Sequence, residues 1–255
     1  MLRWFEHHQV YCPSKVMEAR PADLGRPFEE VFLSTNDKVR LHGWFFPAVA
    51  NSSRARLTFL LLHGNAGNIS HRLGFCQAWL ELGVNVFLFD YRGYGGSDGL
   101  PSEAGTYLDA QAAYSWLRAK GFAPGNIIAL GKSLGGGIAS ELALREQLGG
   151  IILQSTFTNI PQLGAELFPW LPVRWLSTIK YDTLSKLPRI KVPLLIAHSP
   201  DDGLVRYVHA TQNFAAANQP KMLLQISGGH TAVLEAGRDE YLRGLGRYLN
   251  AYFGK

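Results

Sequence analysis

Residues 127–144, IIALGKSLGGGIASELAL, admit two readings, and the choice between them decides the fold. Gly131-Lys132-Ser133 looks like the end of a phosphate-cradling loop, while Gly131-Lys132-Ser133-Leu134-Gly135 looks like a sharp strand-to-helix turn that presents a serine. A phosphate loop needs glycine five positions before Gly131, followed by four flexible residues. Asn126 stands there, and the next four residues, Ile127-Ile128-Ala129-Leu130, read as a buried strand. No phosphate-wrapping loop fits. The other reading needs a strand running into a strained tip and then a helix, with small residues two before and two after the serine. Gly131 and Gly135 supply those positions, Ser133 the tip, and Gly136-Gly137 allow the helix to pack closely.

Outward from this turn the chain alternates. Strand-like apolar runs occur at 57–62, 84–89, 127–130, 151–154, 193–197 and 222–226, continuous as parallel strands buried on both faces should be. Helix-like segments at 71–82, 103–120, 134–148, 206–217 and 235–252 separate most of them. Residues 28–33 and 39–46 form a hairpin-like opening through Asn36-Asp37. The pattern predicts an α/β fold, a mostly parallel central sheet with helices on both faces. Residues 157–191 break the rhythm with Pro161, Pro169, Pro172 and Pro188, and read as a cap inserted over the sheet of a single domain spanning 1–255.

Composition narrows the function classes. The 255 residues are 47% hydrophobic, enough for a sizeable core. The formal charge is +5, but Lys and Arg never form dense runs, so a nucleic-acid partner is not expected. No run is long and apolar enough to span a bilayer, and MLRWFEHHQV lacks the apolar centre of a secretory signal. Cys12 and Cys76 have no metal-ligand spacing, and neither His7-His8 nor any acidic cluster has it. No metal and no cofactor are expected.

A serine hydroxyl becomes a useful nucleophile when a histidine accepts its proton and a carboxylate fixes that histidine. On a sheet of this kind the order is serine, acid, histidine. Of His198, His209 and His230, only His230 follows both candidate acids at the end of a strand, after MLLQIS and Gly228-Gly229. Asp201 and Asp202 both follow strand 193–197, and pattern leaves either as the acid. Backbone N–H donors for an oxyanion are expected at Leu134, on the helix N-terminus, and at Asn65, where strand LTFLLL ends in His63-Gly64-Asn65.

With LHGNAGNISHR (62–72), DYRGYGGSDGLPSEAGTYLDAQAA (90–113), GKSLGGG (131–137), HSPDDGLV (198–205) and GGH (228–230) in place, the chain resembles the α/β-hydrolase superfamily along nearly its whole length. It is most similar to small serine hydrolases related to serine aminopeptidase-like enzymes, a subgroup that includes membrane-associated lipid and acyl-protein hydrolases. The resemblance implies the α/β-hydrolase fold, Ser133 as nucleophile, His230 as base, Asn65 and Leu134 as oxyanion donors, and Asp202 rather than Asp201 as the acid. Ser199 and Gly203 depart from the subgroup's usual acid loop. Many relatives carry an N-terminal membrane anchor, and this chain begins where such an anchor would end. A cytoplasmic protein with, at most, peripheral membrane contact is the expectation.

The implied activity is cleavage of carboxylic esters or thioesters of acyl or lipid-like small molecules. A serine aminopeptidase and a non-catalytic binding module are the alternatives. Asp90, Arg92 and Tyr94 are expected in a structural turn beside the site, and Lys132 is expected to be solvated. The cap crowds Phe168, Trp170, Leu171, Val173, Trp175 and Leu176 into nine positions. Phe168, Trp170 and Trp175 are the expected acyl-pocket residues, with Arg174, Lys180 and Lys186 available to attract an anionic group.

Overall fold

Eight strands form one sheet in the computed structural model, which describes residues 2–254. In chain order the elements are α1 (Leu2–Val10), β1 (Cys12–Pro13), β2 (Glu29–Ser34), β3 (Arg40–Phe46), β4 (Thr58–Leu62), β5 (Ala66–Gly67), α2 (Leu73–Leu80) and β6 (Asn85–Phe89). There follow α3 (Glu103–Ala119), β7 (Ile127–Lys132), α4 (Leu134–Arg145), β8 (Gly150–Gln154), α5 (Ile160–Leu167) and α6 (Val173–Leu176). The chain closes with β9 (Leu194–His198), α7 (Val208–Ala216), β10 (Lys221–Gln225) and α8 (Val233–Phe253).

The strand order is β10-β9-β8-β7-β4-β6-β3-β2, parallel from β10 to β6, with β3 antiparallel to β6 and to β2. Alternation along each strand explains the two helix layers. Phe59, Leu61, Ile128 and Leu130 face α2 and α8, while Leu60, Leu62 and Ala129 face α3 and α4. Every residue of β4 and β7 is buried, hence the unbroken apolar runs.

After β4 the chain turns to β6 on one side, and it returns to β7 on the other. That reversal opens a crevice at the carboxyl ends of β4 and β7, where ligands of open parallel sheets collect. The loop 63–65 and Ser133 both lie at those ends. The segment between β8 and β9 carries α5 and α6. One feature escaped the sequence pattern: α1 and a second small sheet, in which β1 pairs in parallel with β5, Cys12 opposite Ala66.

Candidate active site

Ser133 holds φ 52° and ψ −117° between β7 and α4, a region that residues with side chains rarely adopt. The surrounding glycines explain how it is tolerated. A Cβ on Gly135 would overlap the Leu62 carbonyl, and one on Gly131 would come within 2.5 Å of the Gly135 oxygen. Strand, helix and the loop after β4 touch backbone to backbone. The Ser133 N–H donates to Gln154 O on β8 at 2.9 Å, which anchors the tip.

From this tip a chain of hydrogen bonds runs into the protein. Ser133 Oγ–H donates to His230 Nε2 at 3.1 Å, and His230 Nδ1–H donates to Asp202 Oδ2 at 2.8 Å. The other carboxylate oxygen accepts the N–H groups of Val205 at 2.8 Å and Leu204 at 3.0 Å. Burial raises the Asp202 pKa, but the His230 hydrogen bond and charge and these two N–H groups outweigh it and hold the carboxyl below its usual value. Asp202 is therefore an anion fixed in place. Asp201, exposed, only helps shape the turn through its N–H to Ser199 Oγ. Of the two other histidines, His198 lies behind the acid, with Nε2 2.7 Å from Val205 O and 3.5 Å from Asp202 Oδ2, and His209 bonds Thr158 and Glu166.

The loop after β4 is braced peptide by peptide. His63 Nδ1–H donates to Gly64 O at 2.7 Å. The C=O and N–H of a trans peptide point in opposite directions, so this bond aims the Asn65 N–H away from the buried His63 ring. A Cβ on Gly64 would lie 3.6 Å from Ser133 Cβ, which places the loop against the nucleophile turn. The Asn65 carbonyl in turn accepts Tyr94 O–H at 2.8 Å and Cys12 N–H at 3.0 Å. Among the described residues, neither the Asn65 nor the Leu134 N–H donates to the protein. Burial, helped by Arg72, pushes His63 down to about 3, so it is neutral and its Nδ1 proton serves the loop. Asp90, raised by burial to about 7, lies 3.7 Å from His63 Nε2. No ion pair forms there.

Asp90 and Arg92 are indeed structural: Asp90 accepts the Ile69 N–H, and Arg92 bridges Asp37 and Asp109. Tyr94 does more, since its hydroxyl holds the Asn65 carbonyl of the loop after β4. Lys132 corrects the sequence reading. It is 5% exposed, with Nζ 4.2 Å from the Phe75 ring centre. Burial and Arg72 push its ammonium down to about 8 against the pull of Glu235 and Asp202.

The cap residues separate. A groove of about 350 Å³ runs between α1 and the α5–α6 segment, lined chiefly by Phe5, Val10, Ile160, Phe168, Leu171 and Trp175, a volume within the range of small-ligand pockets. Phe168 and Trp175 are in its wall. Trp170 is not, and neither are Ser133 and His230. Lys186 pairs with Glu141 at 2.8 Å, and Lys180 Nζ donates to Ser177 O, so both are tied inward; Arg174 is exposed. The sequence pattern gave no hint of the opposite wall. Helix α1 is held there by Glu6, whose carboxylate accepts Ser177 O–H, Thr178 O–H and the N–H groups of Thr178 and Ile179. Two residues beyond Val10, the same segment bonds Asn65 through Cys12.

A family profile described as "Serine aminopeptidase, S33" matches residues 53–183. The uncharacterized protein Rv2307c of Mycobacterium tuberculosis is 34% identical, covering 90% of this chain and 82% of its own. Alpha/beta hydrolase domain-containing protein WAV2 of Arabidopsis thaliana is 31% identical, covering 97% and 88%. Among solved structures, the Pyrococcus furiosus esterase Pf2001 superposes with a TM-score of 0.79 over 96% of this chain and 98% of its own. Its 22% identity speaks for the fold alone.

Proposed function

We propose a serine esterase or thioesterase function for this chain, which belongs to the serine aminopeptidase S33 family of the α/β-hydrolase superfamily. The observation that carries this reading is the unbroken relay Ser133–His230–Asp202, at 3.1 and 2.8 Å, beside two N–H groups that no described protein acceptor uses.

Ser133 Oγ attacks the acyl carbonyl carbon while His230 Nε2 takes the hydroxyl proton. The carbonyl π electrons move to oxygen, and the Asn65 and Leu134 N–H groups receive that oxyanion, with the α4 dipole adding to Leu134. Asp202 stabilises the imidazolium and fixes its tautomer. On collapse the C–O or C–S bond of the substrate breaks, His230 returns the proton to the leaving alcohol or thiol, and the acyl group stays on Ser133. Water, deprotonated by His230, then attacks the acyl carbon; the bond between that carbon and Ser133 Oγ breaks, His230 returns its proton to Oγ, and the acid leaves. The apolar walls of the groove between α1 and the cap suit acyl chains longer than acetyl, although neither Ser133 nor His230 lines it.

The peptidase reading needs an acid free to hold a substrate amine. Glu6 is the acid in the groove wall, and Ser177, Thr178 and Ile179 already occupy its carboxylate. Nitrophenyl esters of increasing chain length, assayed beside aminoacyl anilides, test the choice. Ester turnover that exceeds anilide turnover, with Ser133→Ala lowering kcat by roughly four decades or more, is expected. Faster anilide turnover would reverse the assignment, and turnover retained in Ser133→Ala would discard it.

A further inference from the structure

A second feature of the groove lies outside the reaction: the apolar surface around its mouth. Trp175 is 90% exposed, Trp170 73%, Leu176 46%, Leu167 40% and Phe5 38%. Single exposed apolar residues are ordinary, but contiguous ones mark an interaction site. These are contiguous. The Phe5 ring of α1 meets Phe168 edge-on at 6.0 Å, Phe168 meets Trp170 at 5.8 Å, and Phe5, Trp175 and Leu176 share the groove wall.

Around this surface the basic side chains Arg3 and Arg174 outnumber the one acid of the groove wall, Glu6. Arg3 lines the groove and Arg174 is exposed next to Trp175. Among the described residues neither is paired with an acid. Of the acids nearest in the chain, Glu166 is paired with Arg206 and His209, while Glu6 is an anion turned onto the hydroxyls and N–H groups of residues 177–179 and pairs with neither arginine. Exposed indoles beside unpaired guanidinium groups match a bilayer interface, where Trp rests at headgroup depth and basic side chains draw anionic lipids. Pro169 and Pro172 bracket the Trp170 turn, so the aromatic side chains, rather than an open strand edge, are what this face offers.

We propose that the face formed by α1 and the α5–α6 segment docks on membranes that contain anionic lipids, with Trp170 and Trp175 seated among the headgroups and the groove opening toward the bilayer. The docking rests on the surface alone. It holds whether or not Ser133 turns over an ester.

Co-sedimentation of the full chain with vesicles tests it, using Ser133→Ala so that no lipid is consumed. The protein should pellet with phosphatidylcholine vesicles containing phosphatidylserine, far less with phosphatidylcholine alone, and be released by salt. Arg174→Gln should lower partitioning about fivefold, the effect of one basic side chain near an anionic surface. Trp170→Ala should lower it about tenfold, with Trp170→Phe intermediate, and unchanged thermal unfolding would show that this exposed site leaves the fold intact. Protein that stays in the supernatant with both vesicle types overturns the proposal, as do Trp170→Ala and Arg174→Gln proteins that bind like their parent. A concentration-dependent dimer dissolved by Trp170→Ala, without vesicle binding, also overturns it and assigns the face to a second copy of the chain.

Discussion

The Gly131–Gly137 turn and the groove between α1 and the cap are built by opposite means. The turn is seven consecutive residues, Gly131 to Gly137, whose geometry is forced by backbone contacts that leave room only for hydrogen at Gly131 and Gly135. The groove is assembled from α1 and the cap, segments separated by about 150 positions and held together by the Glu6 carboxylate and a few aromatic edges. The turn is thus written locally and rigidly, although the relay it enters takes His230 from 97 positions away, whereas the groove is written wholly in distant segments that meet only in the folded chain. Substitutions at the relay should change rate by decades, and substitutions in the groove should redistribute preference among substrates.

The sharpest way to break that contrast is within the acid loop. Asp202→Asn should lower kcat about 10³- to 10⁴-fold, because an amide cannot hold the His230 tautomer that accepts the serine proton. Asp201→Asn, at an exposed turn position, should stay within about threefold of the parent. Steady-state kinetics on one nitrophenyl ester checks both, and similar losses would mean that the loop acts as a whole.

Tyr94→Phe sits between the two regimes. It keeps the ring but removes the hydroxyl that, with Cys12, holds the Asn65 carbonyl. Loss of an oxyanion donor itself costs about 10²- to 10³-fold, so loosening its support should cost about tenfold in kcat with KM unchanged. A rise in KM at constant kcat would mean that the hydroxyl shapes the binding surface instead.

In the groove, Phe168→Ala should lower kcat/KM for long-chain esters several-fold and leave acetyl esters nearly unaffected, since each buried methylene is worth about 0.8 kcal/mol. Equal losses on both substrates would make Phe168 a packing residue of the cap.

Lys132 affords the smallest and most indirect test. Its native pKa of about 8 lies below the ordinary lysine value of 10.5, so between those values the unfolded chain binds a proton that the native chain does not, and native stability rises with pH. Below about 8 the native state carries the buried charge. Lys132→Met should therefore be more stable than the parent at pH 7 by about 1–3 kcal/mol, and the gap should narrow as pH rises through that window. Urea unfolding at several pH values checks the sign; a gap that widens would mean that the ammonium is stabilised where it lies.

How much was legible in sequence follows the same contrast. The strands from Thr58 to His198 could be read because both faces are buried, which leaves unbroken apolar runs. The turn could be read because its glycines answer a steric demand inside seven residues. His230 followed from chain order. Lys132 was misread because what surrounds it, Phe75, Arg72 and Glu235, comes from other parts of the chain. Helix α1 carries no regular apolar stripe, and its role rests on Glu6 meeting residues 171 positions away. Trp170 and Trp175 read as pocket residues because they sit among the apolar side chains of a cap; Trp175 lines the groove yet stays largely exposed, and Trp170 lies outside it. Their exposure is a property of the folded surface, and local pattern does not encode it.

On the proposed mechanism Ser133 is the one activated nucleophile of the chain. The most direct test of that claim is mass mapping after treating the folded protein with a fluorophosphonate, which needs an activated serine but no particular substrate. The expected result is one phosphonyl adduct per chain, on the peptide containing Ser133, absent in Ser133→Ala and strongly slowed in His230→Ala. An adduct on another residue, or unlabelled protein that still hydrolyses esters, would contradict the account.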